Sequence, residues 1–96
     1  MDFNVYGYST SYGQDLYVVG SAPELGGWDT SKAVKLNYVS SNQWSGPVFF
    51  NASKGQSIQY KYIVINSNGS VQWEAGSNRT YSVPSSGNHS VSGSWQ

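Results

Sequence analysis

Apolar residues in this chain recur at every second position over short runs, and no stretch carries the spacing of an amphipathic helix. Phe3-Asn4-Val5-Tyr6 alternates and then meets the turn-prone Ser9-Thr10-Ser11-Tyr12-Gly13. Leu16-Tyr17-Val18-Val19 follows and stops at Gly20, and after a long loop Ala33-Val34-Lys35-Leu36 reads as a short strand. Trp44 to Phe50 reads as another, in which Pro47, unable to donate to a ladder, marks a bulge or an edge. The strongest signal is Ile58 to Ile65. Behind it Asn68-Gly69 predicts a hairpin that returns Val71-Gln72-Trp73-Glu74 antiparallel. Thr80 to Val83 and Ser90 to Trp95 complete the set, and Gly, Ser or Asn breaks nearly every intervening window. Seven or eight short strands separated by turns predict an all-β chain, either a β-sandwich or an open-sided barrel. With no linker, repeat or shift in composition, residues 1–96 are expected to form one domain.

Composition narrows the partner. Aromatic residues make up 16% of the chain and charged residues only 10%. Four Trp and eight Tyr are more rings than one small core uses, so some are expected on the surface. Rings set among Ser, Asn and Gly suit a polar, uncharged ligand that is stacked upon and hydrogen-bonded. The five basic residues Lys32, Lys35, Lys54, Lys61 and Arg79 balance five acidic ones and are scattered, so the basic stripe of a nucleic-acid binder is missing. The longest apolar run of the strong strand, Ile63-Val64-Ile65, is far too short for a membrane-spanning helix, so no membrane role is expected. There is no cysteine and therefore no disulfide to rely on. Met1-Asp2-Phe3-Asn4 leads straight into a strand without a signal peptide, which is the expectation for a module cut from a larger protein.

The segment Gly20-Ser21-Ala22-Pro23-Glu24-Leu25-Gly26-Gly27-Trp28-Asp29 resembles the signature loop of carbohydrate-binding module family 20. That is the starch-binding domain attached to fungal glucoamylases, many bacterial amylases and related enzymes. Tyr12-Gly13, Leu16 to Gly20, Trp44, Gln59 to Ile63, Val71 to Glu74 and Asn78 to Pro84 match in family order, so the resemblance covers essentially the whole chain. It implies an immunoglobulin-like antiparallel sandwich with two starch sites. In the first, Trp28 and Trp73 match a flat exposed platform, Lys61 and Asn78 match groups that hydrogen-bond sugar hydroxyls, and Glu74 adjoins them. In the second, Tyr12 and Tyr38 match rings that flank the bound chain. The implied partners are starch and malto-oligosaccharides, with β-cyclodextrin as an analogue. The implied setting is a monomeric, non-catalytic module of a secreted glucoamylase, amylase or starch-oxidising monooxygenase, with no cofactor.

The residue types suit that chemistry. A glucose ring carries C–H groups on its faces, which favour the electron-rich face of an indole or phenol, and hydroxyls on its rim. Lys61 brings three donors, and Asn78 both a donor and an acceptor. Trp44 and Trp95 read instead as core or sheet-edge packing, and Tyr6, Tyr17, Tyr60, Tyr62 and Tyr81 as structural. His89, the only histidine, has no cysteine or carboxylate cluster beside it and predicts no metal site. A glycosidase needs two opposed carboxylates, and Asp2, Asp15, Glu24, Asp29 and Glu74 offer no such pair. Four glycosylation triplets begin at Asn51, Asn68, Asn78 and Asn88; a glycan on Asn78 would cover the first sugar site, so that position is expected to be unmodified. The competing readings are a glycogen- or starch-targeting module of a regulatory protein and an immunoglobulin-like protein-interaction domain.

Overall fold

The computed structural model describes residues 2–8, 13–40, 42–48, 50, 55–83 and 90–95. Among these, nine strands form: β1 (Asp2–Tyr6), β2 (Asp15–Gly20), β3 (Val34–Lys35), β4 (Asn37–Ser40), β5 (Gln43–Pro47), β6 (Ser57–Ile65), β7 (Val71–Trp73), β8 (Arg79–Ser82) and β9 (Ser90–Ser94). Two short 3-10 turns, Pro23–Trp28 and Thr30–Lys32, fill the long loop after β2.

The strands make two sheets. One runs β4-β5-β1-β9, with β1 and β9 parallel and the other neighbours antiparallel. The other runs β3-β2-β6, and β7 and β8 share the far edge of β6: β7 pairs with Ile63–Ile65 and β8 with Ser57–Tyr60. This is a β-sandwich, not a closed barrel, and the period-two pattern explains it. Phe3 and Val5, Leu16 and Val18, and Ile58, Tyr60, Tyr62 and Val64 all turn inward and meet between the sheets with Leu25, Leu36, Trp44, Val48, Phe50 and Val83. Phe3 stands edge-on to Tyr60 at 5.1 Å, and Tyr60 edge-on to Tyr62 at 5.8 Å. Burial holds the phenol protons of both tyrosines, most strongly that of Tyr62, above the ordinary tyrosine range.

The hairpin expected at Asn68-Gly69 closes through Gly69 N–H to the Asn66 carbonyl at 2.9 Å, with Gly69 left-handed at φ 86°. Strand β5 ends at Pro47, as a missing donor requires, although it lies inside its sheet. Strand β4 was not expected. All four of its residues are exposed at the sheet edge, so no inward–outward alternation marks them in the sequence.

Gly20 at the end of β2 lets the following loop fold down onto the sheet. A Cβ there would collide with the Gln59 carbonyl oxygen and stand 2.9 Å from both Leu25 Cδ1 and Tyr60 Cβ. Ser21 N–H donates to that same carbonyl at 2.8 Å, and the buried Leu25 anchors the loop from within.

Candidate functional site

The outward positions of β6 carry Gln59, Lys61 and Ile63, and those of β2 carry Tyr17 and Val19. Val19 and Ile63 belong to the face turned away from the core, yet both are fully buried. Trp73 lies directly opposite Ile63 in the β6–β7 ladder, and the Pro23–Trp28 turn packs on β2. The two indoles meet there, with ring centres 6.2 Å apart and planes inclined by 38°. Trp73 is 43% exposed and Trp28 half-buried. The platform expected to be flat is therefore a shallow V of two indoles.

Backbone geometry aims Trp28. Gly26, Gly27 and Trp28 are left-handed in succession, at φ 84°, 58° and 68°, and Trp28 is the one non-glycine with positive φ among the described residues. Glycine enters this region freely, whereas a bulky side chain there is strained by roughly 1–3 kcal/mol. The turn is held by Gly27 N–H to the Ala22 carbonyl at 3.2 Å and Asp29 N–H to the Gly26 carbonyl at 3.1 Å. Asp29 then caps the next turn through Ser31, whose N–H and hydroxyl both donate to its carboxylate and hold its pKa below the usual range. The strain predicts an inverted stability order. Both Trp28→Gly and Trp28→Ala remove the ring, but the glycine variant should be the more stable by about 0.5–1 kcal/mol in urea unfolding. The usual order, alanine above glycine, would show that position 28 is not held left-handed.

The polar residues of the site divide into those that face outward and those that do not. Asn78 is exposed, and its side-chain N–H donates to Gln59 Oε1 at 3.2 Å. Lys61 is half-buried, and its ammonium donates to the Glu74 carbonyl at 3.1 Å and to the Gly76 carbonyl at 2.7 Å. Lysine has three donors, so one is left. Glu74, expected to adjoin the platform, follows Trp73 directly in the chain. Its side chain turns inward and is only 2% exposed, because burial there is matched by Arg79, whose Nε and Nη2 each reach a carboxylate oxygen at 3.0 Å, and by the Tyr62 N–H at 3.0 Å. The carboxylate in turn lifts the pKa of Arg79 further above its ordinary value. Nothing in the sequence distinguishes Arg79 from the other scattered cations, or Gln59 from other polar strand residues.

Of the two residues expected at a second site, Tyr12 lies outside the described residues. Tyr38 on β4 is 59% exposed and stands edge-on to the buried Trp44 at 5.5 Å. Trp95 is half-buried against Tyr8, with ring centres 4.7 Å apart. Tyr6, expected to be structural, is 38% exposed on the outer face of the four-stranded sheet, where its hydroxyl accepts from Gln43 Nε2 at 3.2 Å. His89 and the triplets at Asn51 and Asn88 fall outside the described residues; the side chain of Asn68 accepts from Ser70 N–H and hydroxyl in the β6–β7 turn. Among the described residues no three His, Cys, Asp or Glu side chains group as a metal site would require.

A β-sandwich that presents paired indoles beside amide and ammonium groups has the make-up of a carbohydrate-binding module. Comparison with known proteins agrees. The family described as starch binding domain matches residues 1–92, and the chain belongs to it. The thermophilic beta-amylase of Thermoanaerobacterium thermosulfurigenes is 42% identical over 94 residues, which cover 98% of this chain and 17% of the amylase. The glucoamylase of Neurospora crassa is 46% identical over 79 residues, 78% of this chain and 12% of that enzyme. Among solved structures, the family 20 module of the maltotetraose-forming amylase from Pseudomonas saccharophila superposes with a TM-score of 0.82 at 28% identity, covering 98% of this chain and 97% of that one. The chain thus spans under a fifth of these two enzymes but nearly all of the isolated module. It is a non-catalytic starch-binding module of the kind found in starch-active enzymes.

Proposed function

We propose that the module binds α-1,4-linked glucan at two surface sites and thereby holds a starch-active enzyme, secreted with it, on its substrate. The observation that carries the first site is the indole pair, 6.2 Å apart and inclined by 38°, on the outer face of the β2-β6-β7 sheet beside Lys61 and Asn78. Inclined rings follow a chain that curves from one sugar to the next, as α-1,4 linkages make it do; a straight ribbon would favour coplanar rings. Trp28 and Trp73 stack on successive glucose faces. Lys61 offers its remaining donor to a rim hydroxyl, and Asn78, its amide N–H engaged by Gln59, offers its carbonyl oxygen. Burial of ~100 Å² of apolar area per ring at roughly 25 cal/mol per Å² contributes ~2–3 kcal/mol before ordering costs. Two rings with a few hydrogen bonds then reach the micromolar range, on the order of 8 kcal/mol.

The second site is centred on Tyr38, whose exposed ring on the β4 edge supports the reading, with Tyr12 as its partner. Two sites on one polymer add avidity without new contacts. Calorimetric titration with β-cyclodextrin should give two molecules per chain, and Tyr38→Ala should leave one. A single molecule bound in both proteins would eliminate the second site.

A further inference from the structure

Trp73 and Asn78 stand at the two ends of one short connection, the loop from Glu74 to Asn78 that carries the chain from β7 to β8. Both strands pair with β6, but neither covers the stretch around Lys61 and Tyr62. A loop crossing such a gap has no ladder to hold it. We infer that Arg79, acting through Glu74, is the positioning residue that fixes this loop and with it the spacing between the Trp73 ring and the Asn78 amide. The inference rests on the glucan-binding reading of those two residues.

The loop is held from two sides. On the core side, the Glu74 backbone N–H donates to the Tyr62 carbonyl at 3.2 Å while its carboxylate accepts the Tyr62 N–H at 3.0 Å. The side chain thus completes the strand edge that β7 and β8 leave open. Arg79 fixes that carboxylate with two bonds of 3.0 Å, lies 5.1 Å over the Tyr62 ring and donates to the Ser94 carbonyl of β9 in the opposite sheet. Gly93 leaves room for the guanidinium, since a Cβ there would lie 2.5 Å from its Nη1. On the solvent side, Lys61 draws the Glu74 and Gly76 carbonyls together. A planar guanidinium that spans both sheets and grips a fully buried carboxylate restricts the loop far more than an exposed ion pair would. The loop then meets the ligand already ordered, so little of the binding free energy is lost in immobilising it.

The test separates positioning from stability. In the double variant Glu74→Gln/Arg79→Met, the Gln side-chain carbonyl still accepts the Tyr62 N–H, and no charge is left buried without a partner. This protein should stay folded, lose β-cyclodextrin affinity by about three- to tenfold, and show a weakened exciton couplet between Trp28 and Trp73 in circular dichroism. Arg79→Lys, which keeps the charge but not the fork, should fall between the two. Glu74→Gln alone serves as a second variant that keeps the Tyr62 acceptor but loses the carboxylate, and should shift both readouts in the same direction. An affinity within about twofold of native with an unchanged couplet would overturn the inference, provided Trp73→Ala weakens binding at that site by about tenfold or more. If Trp73→Ala binds normally, the platform reading itself falls, and the brace has no site to position.

Discussion

Trp73→Ala is expected to lower the affinity of the first site for malto-oligosaccharide or β-cyclodextrin by about tenfold or more, while the far-ultraviolet spectrum stays that of a folded sandwich. The ring is 43% exposed at the end of a three-residue strand, so the protein loses little packing when it is removed. The ligand loses an indole face of ~100 Å², or ~2–3 kcal/mol before compensation, and each 1.4 kcal/mol is tenfold in affinity. Trp28→Ala should do the same to binding but cost more stability, because the left-handed backbone strain at position 28 remains while a half-buried ring is lost. Sedimentation with raw starch, repeated with soluble cyclodextrin as competitor, measures the loss. Retained granule binding in the Trp28→Ala/Trp73→Ala double variant would remove both rings from the site.

The second large effect concerns the fold. Arg79→Ala should destabilise the module by about 3–5 kcal/mol, because it leaves the Glu74 carboxylate buried without its cation. The side chain of Glu74 is fully buried and that of Arg79 is 16% exposed, so solvent reaches the carboxylate poorly when its partner is removed. The loss is a large share of the ~5–15 kcal/mol that holds a domain of this size together. Replacing both residues together, as Glu74→Gln/Arg79→Met, should recover most of it, since no charge is then buried and the Gln carbonyl still accepts the Tyr62 N–H. Urea unfolding of the single and double variants measures this; a change below ~1 kcal/mol in Arg79→Ala would mean that the pair is solvated in solution.

Much of this was legible in the sequence. The inward positions of β1, β2 and β6 follow from alternation alone, because a buried sheet face requires it and one slip of register would expose every one of those side chains. Trp28 and Trp73 carried the resemblance, and the structure brings them together although they are distant in sequence. Other features depend on geometry that no local pattern encodes. Strand β4 has no buried face and therefore no alternation. Glu74 follows the outward Trp73 and so turns to the opposite, inner face; a carboxylate is stable there only because Arg79 meets it, a pairing that no local pattern encodes. Tyr6 alternates properly with Phe3 and Val5, and so faces outward and is 38% exposed.

The chain's four tryptophans give the most direct measurement, since each indole N–H has its own cross-peak in a nitrogen–proton correlation spectrum. On titration with β-cyclodextrin the peaks of Trp28 and Trp73 should move together along one binding curve, while that of Trp95, packed on Tyr8, stays in place. Saturable binding that leaves both the Trp28 and Trp73 peaks unmoved would contradict the assignment of the glucan site to the inclined indole pair.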